Sequence, residues 1–445
     1  MSEFTTLPLP TVARHTPGII RDPLTFMLRM TRRHGHLLRA DLGRTPVYLL
    51  NTPEAIQHIL INNQRNYSKA TPQFEIFKLV AGNGLLNSDG AFWLQQRRTA
   101  QPAFHLQRLA RLERLITDAA QALLARWQAN PPDRPVDIEH EMLQLTLPIV
   151  CQALFSLDVR ERAHELVALT AVGLDYAMFR ARVLLPVPLS WPLPINRRFR
   201  HSQAQLDALI YALIAARRAA PDAHDDLLAM FLQAADADGQ PLSDRIIRDE
   251  VMTMIVAGYE TVATGLTWIW YLLDSHPSVG ARLREELTSV LQGRAPTQAD
   301  LPRLPYLRWV VEEGWRMFPP AWLLTRRALA ADQLAGADIP AGAVMVVSPY
   351  VLHHSAEYWP DPERFDPDRF RDGAPPPTRC TYLPFGAGPR LCIGNRLAEM
   401  ESQLILGTLA QYVSPQRVSN RPLGLNPLVT IRPRGGLPMW LRPLP

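Results

Sequence analysis

The stretch Phe385-Gly386-Ala387-Gly388-Pro389-Arg390-Leu391-Cys392-Ile393-Gly394 decides how this chain is read. Two glycines and a proline ahead of the cysteine make a tight turn of little bulk. Gly394 follows, and a helix is expected over 395–412. Cys392 therefore stands just before a helix N-terminus, where backbone N–H groups and the positive end of the dipole gather. Such a setting lowers a thiol pKa and favours the thiolate, the form that ligates metals. The glycines let a large flat group approach the backbone. Phe385 can shield the sulfur, and Arg390 can reach past it to an anion. The alternative for a cysteine is a small buried hydrophobe. That reading suits Cys151, in the apolar run Leu147-Pro148-Ile149-Val150-Cys151, and Cys380 is read as structural.

Around this stretch the composition closes several possibilities. The 445 residues can bury a large core, and 20% charged against 47% apolar residues excludes a disordered chain. Three scattered cysteines form no disulfide framework and no C-x-x-C zinc pair. A net charge of +5 is too mild to point to nucleic acid. Residues 1–10 show no basic segment followed by an apolar one, so no signal peptide is expected. The 41 prolines imply many enforced helix ends.

Most segments read as helices by apolar spacing: 53–61, 91–101, 106–129, 138–157, 203–218, 225–235, 243–274 and 304–317. Strands are expected at 36–42 and 47–50, as a hairpin across Gly43-Arg44-Thr45, and within 323–351. A closing hairpin is expected from 428–432 and 438–441 through Gly435-Gly436. Proline-rich coil fills 358–384. Residues 183–195 hold four prolines and Trp191 between arginines (Arg180, Arg182, Arg197, Arg198, Arg200), and read as a connection between helices. One domain over 1–445 is the simplest account.

The run 251–273 is long enough to span a bilayer but carries Glu260 near its middle, with Gly258 and Gly265. A helix buried on all sides of a globular protein is the better reading. A lone carboxylate there must be paired, hydrated or neutral. Gly258 makes room for a ligand against the helix. Thr261 stands four residues after Ala257 and can bond its carbonyl, loosening the helix. An acid and a hydroxyl beside such a groove can pass protons. The plainer alternative is a Glu used as a polar fastener and a Thr satisfied by its own helix.

Phe385 to Gly394 resembles the cysteine loop of cytochrome P450s, F-x-x-G-x-R-x-C-x-G, at all five fixed positions. Further signatures follow the family's order along nearly the whole chain. Ala257-Gly258-Tyr259-Glu260-Thr261 is similar to A/G-G-x-D/E-T. Glu313-Gly314-Trp315-Arg316 resembles E-x-x-R, and Pro362-Glu363-Arg364-Phe365 resembles P-E-R-F. Trp93-Leu94-Gln95-Gln96-Arg97 resembles W-x-x-x-R. The resemblance implies a mainly α fold with small β-sheets, a triangular-prism-like domain with haem b between the long central helix and the Cys-loop helix.

It further implies Cys392 as the iron ligand, with Ala257, Gly258, Phe385, Gly386 and Gly394 around the haem. Trp93, Arg97, Arg390 and either Arg326 or Arg327 would hold its propionates. Glu260 and Thr261 would deliver protons to O2, and Glu313, Arg316 and Arg364 would form a buried structural cluster. Phe77, Val80, Met178, Ala257, Ala321 and Leu323 would face a lipophilic substrate such as a fatty acid, terpenoid or steroid-like molecule. His34, His36, His105, His353 and His354 show no metal-site spacing and are read as structural or exposed.

The expected activity is that of a haem-thiolate monooxygenase, a soluble, bacterial-type cytoplasmic monomer with no membrane anchor and no fused reductase. Its electrons would come from an acidic ferredoxin or flavodoxin docking on a face carrying Arg98, Arg379, Arg390 and Arg396. A peroxide-driven peroxygenase or decarboxylase, or a non-catalytic haem sensor, are the alternatives; Glu260-Thr261 argues against the sensor.

Overall fold

The hairpin expected before residue 51 forms and belongs to the largest sheet. A computed structural model of the chain describes residues 4–7, 18, 21–42, 45–131, 133–183, 187–220, 224–236, 238–373 and 380–443. The strands are β1 (Thr5–Leu7), β2 (Leu37–Leu42), β3 (Thr45–Leu50), β4 (Tyr67–Ser68), β5 (Val136–Asp137), β6 (Leu324–Ala328) and β7 (Asp332–Leu334). They continue with β8 (Ala337–Ile339), β9 (Val344–Val347), β10 (Val413–Arg417), β11 (Leu425–Pro427), β12 (Ile431–Pro433) and β13 (Pro438–Pro443). The longer helices are α1 (Pro23–His34), α2 (Pro72–Ala81), α3 (Gly90–Ala100), α4 (Glu113–Ala129), α5 (Ile138–Phe155) and α6 (Ala163–Arg182). After them come α7 (Pro194–Ala219), α8 (Asp244–Ser275), α9 (Pro277–Leu291), α10 (Pro305–Met317) and α11 (Asn395–Leu409). The class is mainly α with small sheets, as expected.

The chain divides into two compact units, each drawn from three stretches. The first takes residues 1–74, 312–392 and 425–432. Its sheet has the order β1-β2-β3-β9-β6-β4, with β2 and β3 antiparallel and Leu37 opposite Leu50. Successive side chains of a strand point to opposite faces. Leu38 accordingly joins Leu7 and the α1 residue Met30, while Leu37 joins Tyr48, Leu50, Ile56, Met345 and Cys380. The turn residues Gly43 and Arg44 lie outside the described residues.

The second unit takes 75–311, 393–424 and 433–445. Its spine is α8, 32 residues long, or about 48 Å at 1.5 Å per residue. Ser243 caps it, its Oγ accepting the Ile246 N–H at 3.4 Å. Pro277 opens the next helix immediately beyond. The uncharged run around Glu260 is buried in this helix, as its composition required. Among the described residues no helix is long and apolar enough to cross a membrane.

Several expectations are corrected. The C-terminal segments do not pair with each other: β12 pairs with β11, and β13 pairs with β10 and β5. Gly435 and Gly436, both at positive φ, carry the chain past Asp137, whose Oδ1 accepts the Leu437 N–H at 2.9 Å. The helix expected over 106–129 breaks at a 3-10 turn, Ala110–Leu112. Helix α7 starts at Pro194, inside the expected connection, because proline's fixed φ suits the first helical turn. Helices α1, α2, α6 and α9 were not anticipated as helices.

Candidate active site

In the first unit the Cys392 loop is built as its glycines require. Gly388 has φ 70°, and a Cβ there would strike the Leu60 carbonyl oxygen. The missing side chain at Gly388 thus serves contact with the chain's own backbone. At Gly386 the nearest neighbour of such an atom would be Leu324 Cδ1, at 4.0 Å. The Cys392 N–H donates to the Phe385 carbonyl at 3.0 Å, closing the turn, and the cysteine is exposed. Phe385 meets Trp315 edge to face, ring centroids 5.1 Å apart. Three residues after Cys392 comes Asn395, the first residue of α11, with Gly394 as its N-cap.

Arg326 and Arg327 are neighbours on β6 and face opposite sides. Arg327 Nε donates to the Ala70 carbonyl at 2.6 Å. Arg326 is buried and donates to the Thr325 carbonyl at 2.7 Å. Arg327 is thereby committed to its own unit's backbone.

The buried charge cluster forms, with one member changed. Arg316 grips Glu313 with two bonds, Nε to Oε2 at 2.6 Å and Nη2 to Oε1 at 2.9 Å, both residues wholly buried. Arg316 also donates to the His353 carbonyl at 2.8 Å and the Arg364 carbonyl at 3.3 Å. Glu313 Oε1 accepts the Asp366 N–H at 3.0 Å and lies 3.3 Å from Arg369 Nε. The Arg364 side chain is 70% exposed, so only its carbonyl takes part. Arg369 is the third charged group, in Pro367-Asp368-Arg369-Phe370, a second P-x-R-F five residues along. That repeat was the signal passed over. His353 is wholly buried between the Arg316 carbonyl and the Leu383 N–H; burial holds its pKa well below the usual range, so it is a neutral structural histidine.

In the second unit, α8 is buried from 251 to 270 except at Ala257, Gly258 and Thr261, which keep some exposure. These lie at i, i+1 and i+4, on one side of the helix. Thr261 Oγ1 donates to the Ala257 carbonyl at 2.8 Å, as expected. Thr146 of α5 donates to the Tyr259 carbonyl at 3.0 Å, so two α8 carbonyls here take side-chain donors. A Cβ on Gly258 would lie 2.5 Å from Val150 Cγ2. That glycine lets α5 and α8 approach. Glu260 is 1% exposed.

Trp93 and Arg97 stand one turn apart on α3, both partly buried. Val80 is enclosed with Tyr176, Ala177 and Phe199, a packing position, while Phe77 and Met178 are half-buried. Ala321 and Leu323 are half-buried in the first unit. Cys151 is buried and burial pushes its thiol up to about 12, so it is inert. Arg396 pairs with Glu399 at 3.1 Å, and Arg379 lies outside the described residues. Asp249, Glu250 and Gln203, which also bear on this unit's chemistry, had no motif to mark them.

The donor set of the first unit fits a haem: an exposed cysteine beside a helix start supplies a soft anionic donor. The chain matches the family model described as Cytochrome P450 over residues 9–434, and so belongs to the cytochrome P450 family. It is a haem-dependent monooxygenase. Cyclooctatin synthase of Streptomyces melanosporofaciens is 39% identical, the match covering 97% of this chain and 92% of the relative. Cyclooctat-9-en-7-ol 5-monooxygenase of the same organism is 36% identical over 89% of this chain and 86% of the relative. Pentalenene oxygenase of Streptomyces avermitilis is 35% identical, covering 92% and 90%.

Proposed function

We propose that this monooxygenase oxygenates an apolar carbocycle of the terpenoid class, with Cys392 as the thiolate that would hold the haem iron. The observation that carries the site is the exposed cysteine on a turn where Gly388 has no room for a side chain. The substrate class rests on likeness to proteins named for pentalenene and cyclooctat-9-en-7-ol, a hydrocarbon and a cyclic alcohol. When bound, the haem would supply reductive activation of O2 and transfer of one of its oxygen atoms to carbon, the other leaving as water.

The chain's own residues have other tasks. Arg97, Arg326 and Arg390, with the Trp93 indole, neutralise and orient the propionates. The Thr261 hydroxyl, poised on the Ala257 carbonyl, and the Glu260 carboxyl hold protons and release them toward the oxygen site. Phe77, Met178, Ala321 and Leu323 offer apolar surface that orients the substrate and excludes water. Electrons come from a separate acidic ferredoxin or flavodoxin, attracted by exposed positive charge such as that of Arg98. The cytoplasm suits a chain with no disulfide framework.

The test is the carbon monoxide difference spectrum of the reduced protein, followed by turnover of pentalenene with NADH, ferredoxin and reductase. Cys392→Ser should abolish the thiolate spectrum and the product together. An imidazole-type spectrum in the unchanged protein would end the reading.

A further inference from the structure

The segment following α2 is fastened to α8 by an unusual number of side chains. Three carbonyls at the end of α2 would have no intrahelical partner. Gln203 Nε2 of α7 donates to two of them, Leu79 at 3.2 Å and Val80 at 3.0 Å. Thr253 Oγ1 of α8 donates to the third, Ala81, at 3.4 Å. Gly82 then reverses the chain with φ 68°, so close to α8 that a Cβ would strike the Asp249 carboxylate. Beyond it, Asp249 Oδ2 accepts the Asn83 N–H at 2.9 Å and Glu250 Oε2 accepts the Leu85 N–H at 3.0 Å. A Cβ on Gly84 would strike Thr253 Oγ1. Asn87 Nδ2 folds the segment back onto the Gly82 carbonyl at 2.8 Å.

Connecting segments usually leave such amides to water. Here two consecutive carboxylates of a largely buried helix receive them, although burying a carboxyl group is costly. Residues adjacent on a helix point about 100° apart, so only a segment wrapped around α8 meets both. We propose that Asp249 and Glu250 are positioning residues for substrate: they lock 82–88, and through it hold α2 where its apolar side chains grip an apolar ligand. This rests on the reading above that α2 faces the substrate.

The lock responds to pH. Glu250 is wholly buried, and its Oε1 has no hydrogen-bond partner among the described residues. Burial, with the neighbouring Asp249 charge acting in the same direction, pushes its carboxyl up to about 8. The charged groups around it are Asp249, Arg248 at 3.0 Å from Asp249, and the α7 residue Asp207 at 2.7 Å from Arg248. Segment 82–88 brings no charged side chain. A raised carboxyl pKa means the neutral acid suits the fold, and its contribution is lost as pH rises through the folded value. Above about pH 8 an anion forms beside Asp249, and the lock loosens.

Hydrogen exchange on the haem-loaded protein reads the lock directly. After correction for intrinsic rates, protection of the Asn83 and Leu85 amides should fall about tenfold between pH 7 and 9. Glu250→Gln, which keeps an acceptor for Leu85, should remove that fall. Binding of 1-phenylimidazole, followed by the Soret shift, should weaken several-fold in Glu250→Ala, with imidazole itself unaffected. A flat exchange profile in the unchanged protein, or an equal fall in Glu250→Gln, would overturn the carboxylate lock. Exchange as expected with unaltered 1-phenylimidazole affinity would instead overturn α2 as a substrate wall.

Discussion

Glu313 and Glu250 are both wholly buried glutamates on helices, one in each compact unit. Glu313 is held by two bonds from Arg316, by the Asp366 amide and by Arg369. Glu250 has one backbone amide on Oε2, nothing described on Oε1, and an acid as its neighbour in sequence. At the first, burial raises the carboxyl pKa while two guanidinium groups and a backbone amide oppose the rise. At the second, burial and the Asp249 charge raise it to about 8, and only the Leu85 amide opposes. Burial is common to both. The donors around each carboxylate decide whether it stabilises the fold or reports on pH.

The hardest blow to this contrast is Glu313→Ala. It strands Arg316 in the core and should cost about 3–5 kcal/mol, read from the urea midpoint of haem-retaining protein. Arg369→Ala removes a secondary partner of Glu313 and should cost about 1.5–3 kcal/mol. Gly258→Ala probes the second unit by steric means. Its Cβ meets Val150, so a loss of about 1–3 kcal/mol is expected, with Val150→Ala restoring most of it in a double-mutant cycle. Smallest of all is Arg364→Ala, within about 0.5 kcal/mol, because that side chain lies in solvent. A large loss there and none at Arg369 would reverse the membership of the cluster.

Legibility followed chemical rarity. A cysteine amid glycines, a lone acid in a long apolar run, and carboxylate and guanidinium at i and i+3 each demand an explanation from sequence alone. Hence the turn at Cys392, the burial of Glu260, the bond from Thr261 to the Ala257 carbonyl and the pairing of Glu313 with Arg316 could be read directly. Arg364 and Arg369 sit in near-identical P-x-R-F contexts, and nothing local separates them. At Gly258 and Gly388 the atoms a side chain would strike belong to Val150 and Leu60, neighbours that no local motif names. The tail hairpin failed for a related reason: β12 pairs back with β11, and β13 reaches past both to β10 and to the distant β5, choices that the apolar pattern of 438–441 does not mark.

What the sequence determined by itself was the family, the cysteine turn ahead of α11 and the long buried helix, because these depend on residue types and short spacings. Tertiary structure alone decided which arginine enters the core, which of Arg326 and Arg327 is tied to backbone, and that Asp249 and Glu250 receive the amides of 82–88. Those outcomes depend on where distant backbone groups come to rest, and a buried polar atom takes whatever partner the packed chain brings within about 3 Å.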